Sequence, residues 1–483
     1  MLKRRHFLAL GGVAGGALLI PAIRSVNAGA QEPLPHPHGT HRVGVRGAAA
    51  APSVAPFTVA MPVAPVLRPV WSGPAYDLYR IDITKADLDI LPGLRTAALT
   101  YNGLYAGPTI RTRTGRAVKV IYNNRLDEQS NVHLHGGHVP ASEDGHPIDL
   151  IDPGSARLYS YPNQQQGATL WYHDHAHHLE AEHVYRGLHG MYVIEDPAEQ
   201  TLQLPRGAYD VPILLSDALF DDKGQFVSGT DPAERGTLLA NGKPTPYFQV
   251  AARKYRFRLL NAANERIYAL NLGGAELVQI AVDNGLLPAP LRSTELTISS
   301  GERADVVVDF SRYPVGSQLV LADATGGPVL RFDVVRTAQD DSVVPNRLRA
   351  VPALPPATNT REVTLGFDFA NGFPVGQVNG QPYDPARSDF VIKRGTTEIW
   401  TVRNQDPFPH NFHLHMVPFR VLEWNGAAPG PQLAGRKDTV VIPPGSSARI
   451  QATFDTFLGK YAFHCHFLEH SSLGMMAQME IVA

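Results

Sequence analysis

The chain has 483 residues, of which 43% are hydrophobic and 18% charged, and its formal net charge is -2. That length is too great for one ordinary core and suggests three domains at about 100 to 200 residues each. Balanced charge excludes disorder and an electrostatic grip on nucleic acid, leaving a small partner. One cysteine excludes an intramolecular disulfide, and twenty histidines leave abundant imidazole for metal.

In chain order, residues 1–30 read as a signal peptide, with a basic start at Lys3, Arg4 and Arg5, a Gly/Ala-rich apolar stretch, and Ala28 and Ala30 spaced for cleavage. Arg4-Arg5 followed by Phe7-Leu8 looks like a twin-arginine signal, the export route for folded, often cofactor-loaded proteins, to the periplasm or beyond. After cleavage no other stretch is expected to cross a membrane. Residues 31–56 are rich in Pro and Ala and read as a linker, in which His36, His38 and His41 ride on a flexible spacer.

Strand signals then dominate. Tyr79, Ile81 and Ile83 alternate with Arg80 and Asp82; Tyr255, Phe257 and Leu259 alternate with Lys254, Arg256 and Arg258. Each pattern predicts a strand with one buried and one wet face. With 43 Gly and 40 Pro between short runs, the chain reads as all-β sandwiches. Residues 115–124 overlay 395–404 without a gap, and the same offset lays His133-Leu134-His135 on His413-Leu414-His415. A third copy lies between them, marked by Asn-Gly turns at Asn102, Asn241 and Asn379, but it carries Leu270 and Leu272 where the others have histidines. The expected domains are 57–197, 205–337 and 358–483, with the middle one a scaffold free of metal ligands, since no histidine occurs between His189 and His410.

Four histidine clusters remain: His133/His135, His173/His175, His410/His413/His415, and His464-Cys465-His466 with His470 and Met475. Each contains a His-x-His pair, which on a strand aims two imidazoles at the same space. Eight histidines in four pairs suit a three-copper site shared by the first and last domains. Alternation turns Cys465 away from His464 and His466, so one strand serves two sites. Cys465, His410 and His470 with a weak Met475 thioether are the ligand set of a blue-copper electron-transfer centre. Zinc prefers closed tetrahedral sets and gains nothing from a Cys with a distant Met.

These segments resemble the multicopper oxidase family, especially its bacterial laccase-like and bilirubin-oxidase-like members. HLHG at His133, WYHDH at Trp171, HNFHLH at His410 and HCHFLEHSSLGMM at His464 carry the resemblance, in the family's order and spacing. It implies three consecutive cupredoxin-like Greek-key β-sandwich domains and four copper ions per chain. It makes His410, Cys465 and His470 the type 1 ligands with Met475 axial, His133 and His413 the type 2 ligands, and His135, His173, His175, His415, His464 and His466 the type 3 ligands. Domain 1 has Asp174 where domain 3 has Cys465, so it is expected to hold no type 1 copper.

The implied reaction is one-electron oxidation of phenols or aromatic amines near His470, coupled to reduction of dioxygen to water. Asp144 matches an acidic residue that assists proton delivery in similar enzymes, although Glu143-Asp144-Gly145 also suits a turn. Asp406 is placed to orient His410. Bacterial members often have a glutamate directly after the second type 1 histidine, whereas this chain has Ser471, which cannot donate a proton as a carboxylic acid does. His138, His146, His177, His178, His183 and His189 are read as ordinary polar residues. Oxidation of Cu(I) is a rival function, disfavoured by only seven Met and no Met-rich insertion. A copper-free scaffold is disfavoured because buried unpaired imidazoles destabilise a fold.

Overall fold

The structure, a computed structural model, describes residues 53–229, 231–370 and 372–483. The expected signal peptide, most of the linker and His36, His38 and His41 lie outside them. No helix among the described residues is long and apolar enough to cross a membrane.

The chain forms three consecutive β-sandwiches. In the first, Trp71–Ser72, Tyr76–Leu88, Ala117–Asn124 and Ala156–Tyr161 make one sheet, with Thr96–Tyr101 added on Tyr76–Leu88. Its second sheet runs Ala106–Arg113, His189–Glu195, Ala168–His173, His133–His135. The two share one core: Tyr79, Ile81 and Ile83 are 3%, 0% and 0% exposed and pack with Leu134, Leu170 and Tyr192. Burying each such side chain contributes about 1.5 to 3 kcal/mol.

The third sandwich repeats this plan. Val375–Val378, Asn359–Asp368, Thr396–Asn404, Ser447–Phe454 and Phe419–Trp424 form one sheet; Phe390–Lys393, Met476–Val482, Gly459–His464, His410–Leu414 and Thr439–Ile442 form the other. The register repeats as well, with His133 opposite His173 in the first sandwich and His413 opposite His464 in the third. Asn102, Asn241 and Asn379 have φ of 55°, 48° and 54°, and each is followed by a positive-φ glycine, the left-handed pair that closes a tight hairpin. In the middle sandwich Leu270 and Leu272 are buried in the core, occupying apolar space where the other copies aim imidazoles outward.

The strand Lys254–Asn261 departs from expectation. Its outer face is not wet: Arg256 and Arg258 are only 5% and 4% exposed. The first sandwich covers them. Arg256 donates to Asp305, and Arg258 donates to Asp210 and to Thr169 Oγ1, so the charges are neutralised inside the contact. Alternation marked which side chains share a face, but a face of arginines can be buried if carboxylates meet it.

Candidate metal centre

The histidine pairs sit on neighbouring strands of the first and third sandwiches, where the two domains meet. The ladder Ala168–His173 stops at the first histidine of its pair, and Gly459–His464 does the same. The alternation of side-chain direction nonetheless continues past the ladder. Cys465 turns toward His410 and His470, while His464 and His466 face the histidine cluster.

All eight cluster histidines are at most 1% exposed. In most of them a protein oxygen holds one ring nitrogen and leaves the other bare. The Nδ1 of His133, His173 and His413 donates to the carbonyls of Asp144, Asp174 and Asp438, and each Nε2 has no partner. His466 Nδ1 lies 3.3 Å from Ser300 Oγ, with Nε2 unpartnered. His135 is inverted: its Nε2 donates to Asp438 Oδ1 at 3.0 Å and its Nδ1 is bare. His415 Nδ1 donates to Asp144 Oδ2 at 2.7 Å and His464 Nδ1 to the Cys465 carbonyl at 2.9 Å. Their Nε2 atoms, with that of His175, converge at 3.2 Å separations.

Bare nitrogens crowded this way repel one another unless a cation lies between them, so the donor set fits bound metal ions. Four groups gather within 4.8 Å: His133/His413/His415, His133/His135/His173, His175/His415/His464 and His135/His413/Asp438. Burial, reinforced by the neighbouring rings, holds the imidazole pKa values below the usual range, so the rings are neutral and ready to bind metal.

A second group lies beside the first. Cys465 Sγ is 3.7 Å from His410 Nδ1 and 3.6 Å from His470 Nδ1, and the two nitrogens are 3.0 Å apart. Met475 is fully buried, and its carbonyl accepts the Cys465 N–H. Burial pushes the Cys465 thiol up to about 12, so the thiolate forms only when a cation takes the proton's place. His410 Nε2 donates to Asp406 Oδ2 at 2.9 Å, the contact expected for that residue. His470 is 9% exposed whereas His410 and Cys465 are 0%, so the His470 edge is the part of this group nearest the surface.

Several functional contacts were not visible in the sequence. Asp438 accepts from His135 and from Arg303, and its carbonyl holds His413. Arg303 and Ser300 come from the middle sandwich, which supplies none of the clustered histidines yet braces the cluster from outside. Gly136 has φ of 80°, and a Cβ there would stand 2.7 Å from both Arg303 Nη2 and Asp438 Oδ2, which explains the glycine of HLHG. Only the fold brings these residues together, and no spacing rule reaches from 303 to 438. Nor are the histidines beyond the clusters all ordinary. His183 is 1% exposed and pairs with Asp174 at 3.1 Å, and His189 is buried with both ring nitrogens unpartnered. The rings of His138 and His146 each make one side-chain hydrogen bond, with the Met416 carbonyl and Gln478 Oε1, and His138 also packs on Phe457.

Fold and site together define a copper-dependent oxidoreductase. Multicopper oxidase domains match residues 82–199, 169–338 and 353–483. The laccase of Bacillus subtilis (strain 168) is 34% identical over 506 residues, spanning 88% of this chain and 98% of that one. The bilirubin oxidase of Albifimbria verrucaria is 33% identical over 505 residues, spanning 96% and 88%. The crystal structure of the laccase from Pediococcus acidilactici Pa5930 superposes with a TM-score of 0.83 at 30% identity, over 90% of this chain and 95% of that one. The chain belongs to the multicopper oxidase family, with cupredoxin-like sandwiches, copper cofactors and dioxygen as the electron acceptor.

Proposed function

We propose that the protein is a laccase-like oxidase that takes single electrons from a phenol or aromatic amine and reduces dioxygen to water. The supporting observation is the pair of adjacent donor sets, one of Cys465 with His410 and His470, the other of eight buried imidazoles with bare nitrogens aimed inward. On this reading the chain holds four coppers. His410, Cys465, His470 and Met475 hold type 1; His133 and His413 hold type 2; His135, His173, His175, His415, His464 and His466 hold the type 3 pair. When bound, these ions supply one-electron steps at the outer site and multi-electron reduction of dioxygen at the inner one.

The chain's own residues do the rest. The His470 edge, 9% exposed, receives the donor, with the half-buried Phe367 ring 4.9 Å away to pack an aromatic substrate. Cys465 links that edge through the backbone to His464 and His466. Asp144, fully buried, fixes His415 by its carboxylate and His133 by its carbonyl, which sets an acid-base group beside the cluster, and burial raises its pKa. The expected twin-arginine export would deliver the folded chain to the periplasm or beyond.

The test is oxygen uptake with a methoxyphenol and with Cu(I) in competition. Phenol oxidation that dominates supports the laccase reading. Preference for Cu(I) would move the function to metal-ion oxidation, and no uptake by a copper-loaded protein would leave a scaffold.

A further inference from the structure

The helices Glu180–Tyr185 and Leu468–Ser472 pack against each other. Each follows a metal-binding segment, the first starting shortly after His175 and the second shortly after His466. Between them lies Glu180, 0% exposed. Its Oε1 accepts a hydrogen bond from Ser471 Oγ at 3.1 Å, and its backbone N–H donates to the carbonyl of Ala176, next to His175, at 2.9 Å. The Ser472 hydroxyl of the facing helix lies beside the carboxyl, although neither it nor Glu180 Oε2 makes a hydrogen bond of good geometry.

A glutamate held only for structure is seldom buried without a cation. The charged neighbour of Glu180 is Asp174, of the same sign, and Tyr383 packs beside it. His183, on the same helix, is committed to Asp174 and Glu128. Burial, with a smaller push from Asp174, raises the Glu180 pKa to about 8. The acid therefore carries its proton at neutral pH and releases it near the range in which an enzyme works.

The sequence raised a difficulty at this place. Ser471 follows His470 where bacterial members of the family often have a glutamate, which left one proton route without an acid. In the fold the carboxyl is restored from the other side, with its oxygen on the Ser471 hydroxyl.

We propose that Glu180 relays protons for dioxygen reduction through Ser471, supplying from the first domain the carboxyl that position 471 lacks. Conversion of one dioxygen to two waters takes four electrons, which the donor provides, and four protons. In each relay step the carboxyl O–H bond breaks, the proton goes to the oxygen under reduction, and a solvent proton passed along the Ser471 hydroxyl restores the acid. No further oxidant or reductant is needed. The inference rests on the oxidase reading above.

The test compares native enzyme, Glu180→Gln, and a double variant, Glu180→Thr with Ser471→Glu, which moves the carboxyl to position 471. Copper content and anaerobic reduction by a phenol report on the oxidase reading; reoxidation by dioxygen as a function of pH reports on the relay. Infrared spectra of the apoproteins add a readout independent of turnover, the carbonyl band of a buried protonated carboxylic acid. Glu180→Gln is expected to keep its copper and its anaerobic reduction, lose that band at neutral pH, and reoxidise about 10- to 100-fold more slowly. The native rate is expected to fall as pH rises through about 8, the range in which the acid ionises, and this inflection disappears in the variant. The double variant is expected to recover most of the rate. Native-like reoxidation and pH profile in Glu180→Gln would overturn the proposal. Should that variant not load copper, the double variant decides: fast reoxidation supports the relay and slow reoxidation with full copper contradicts it. Absence of anaerobic reduction in every protein, native included, counts against the oxidase reading instead.

Discussion

An imidazole has two nitrogens, and whatever holds one fixes where the other points. Seven of the cluster rings have one nitrogen on a protein oxygen, and the carbonyls used belong to Asp174 and Cys465, each between two clustered histidines, and to Asp144 and Asp438, which are not. Which histidines cluster was readable in the sequence because His-x-His spacing is local; ring orientation was not, because the oxygen that sets it is often distant in the chain. Asp406 is an exception, close enough before His410 to be picked out. Asp406→Asn keeps the side-chain shape and removes the charge. Copper affinity at the Cys465 site should weaken about 10- to 100-fold, as seen when partners of ligating histidines are changed. Equilibrium copper titration against a chelator measures it, and unchanged affinity would mean that Asp406 only closes its loop.

At the scale of the element, the repeated strand pair explains why one sandwich carries a cysteine site and the other does not. Asp174 occupies the place of Cys465, and Ser130, placed before His133 as His410 is before His413, donates to Asp174 Oδ2 at 2.6 Å. His183 completes the replacement, so the first domain holds a buried ion pair where the third holds the Cys465, His410 and His470 group. The expectation of no type 1 copper there came from one residue; the partner that neutralises Asp174 could not be seen, because His183 comes from a helix with no counterpart in the motif. Burial alone would lower the His183 pKa, but Asp174 and Glu128 outweigh it and raise it to about 10. Burial would likewise raise Asp174, but His183, Ser130 and the Asn131 N–H bring it below the ordinary carboxylate value. The pair's stabilisation is therefore present from above about 4, complete up to the unfolded histidine value near 6.5, and lost as pH rises to about 10. Denaturant unfolding of the apoprotein should show a loss of a few kcal/mol across that upper window. The loss should be largely absent in His183→Gln, and an equal slope in both proteins would contradict the pairing.

At the scale of the whole molecule, the middle sandwich matters most where it braces the other two. Arg303, fully buried, donates to Asp438 of the third sandwich, to the Thr169 carbonyl of the first and to the Gly301 carbonyl of its own. Lys437 adds buried pairs with Asp283 and Glu302 across the same junction. Three domains and their order were legible from the repeat and the missing histidines. The bracing was not, since buried Arg256, Arg258 and Arg303 look on paper like solvent-facing charges. Arg303→Met would leave Asp438 buried without its cation and should destabilise the protein by about 3 to 5 kcal/mol, with loss of bound copper. Thermal unfolding with parallel metal analysis checks this, and a native melting temperature would show that the three sandwiches are held by other contacts.

The most direct test of the central claim is the copper content and visible spectrum of purified protein beside Cys465→Ser. The native chain should bind about four coppers and show an intense blue band from the thiolate, while the variant should lose the band and about one copper and keep the rest. A native protein that stays colourless after copper loading, or a variant that keeps the blue band, would contradict the reading of the two sites.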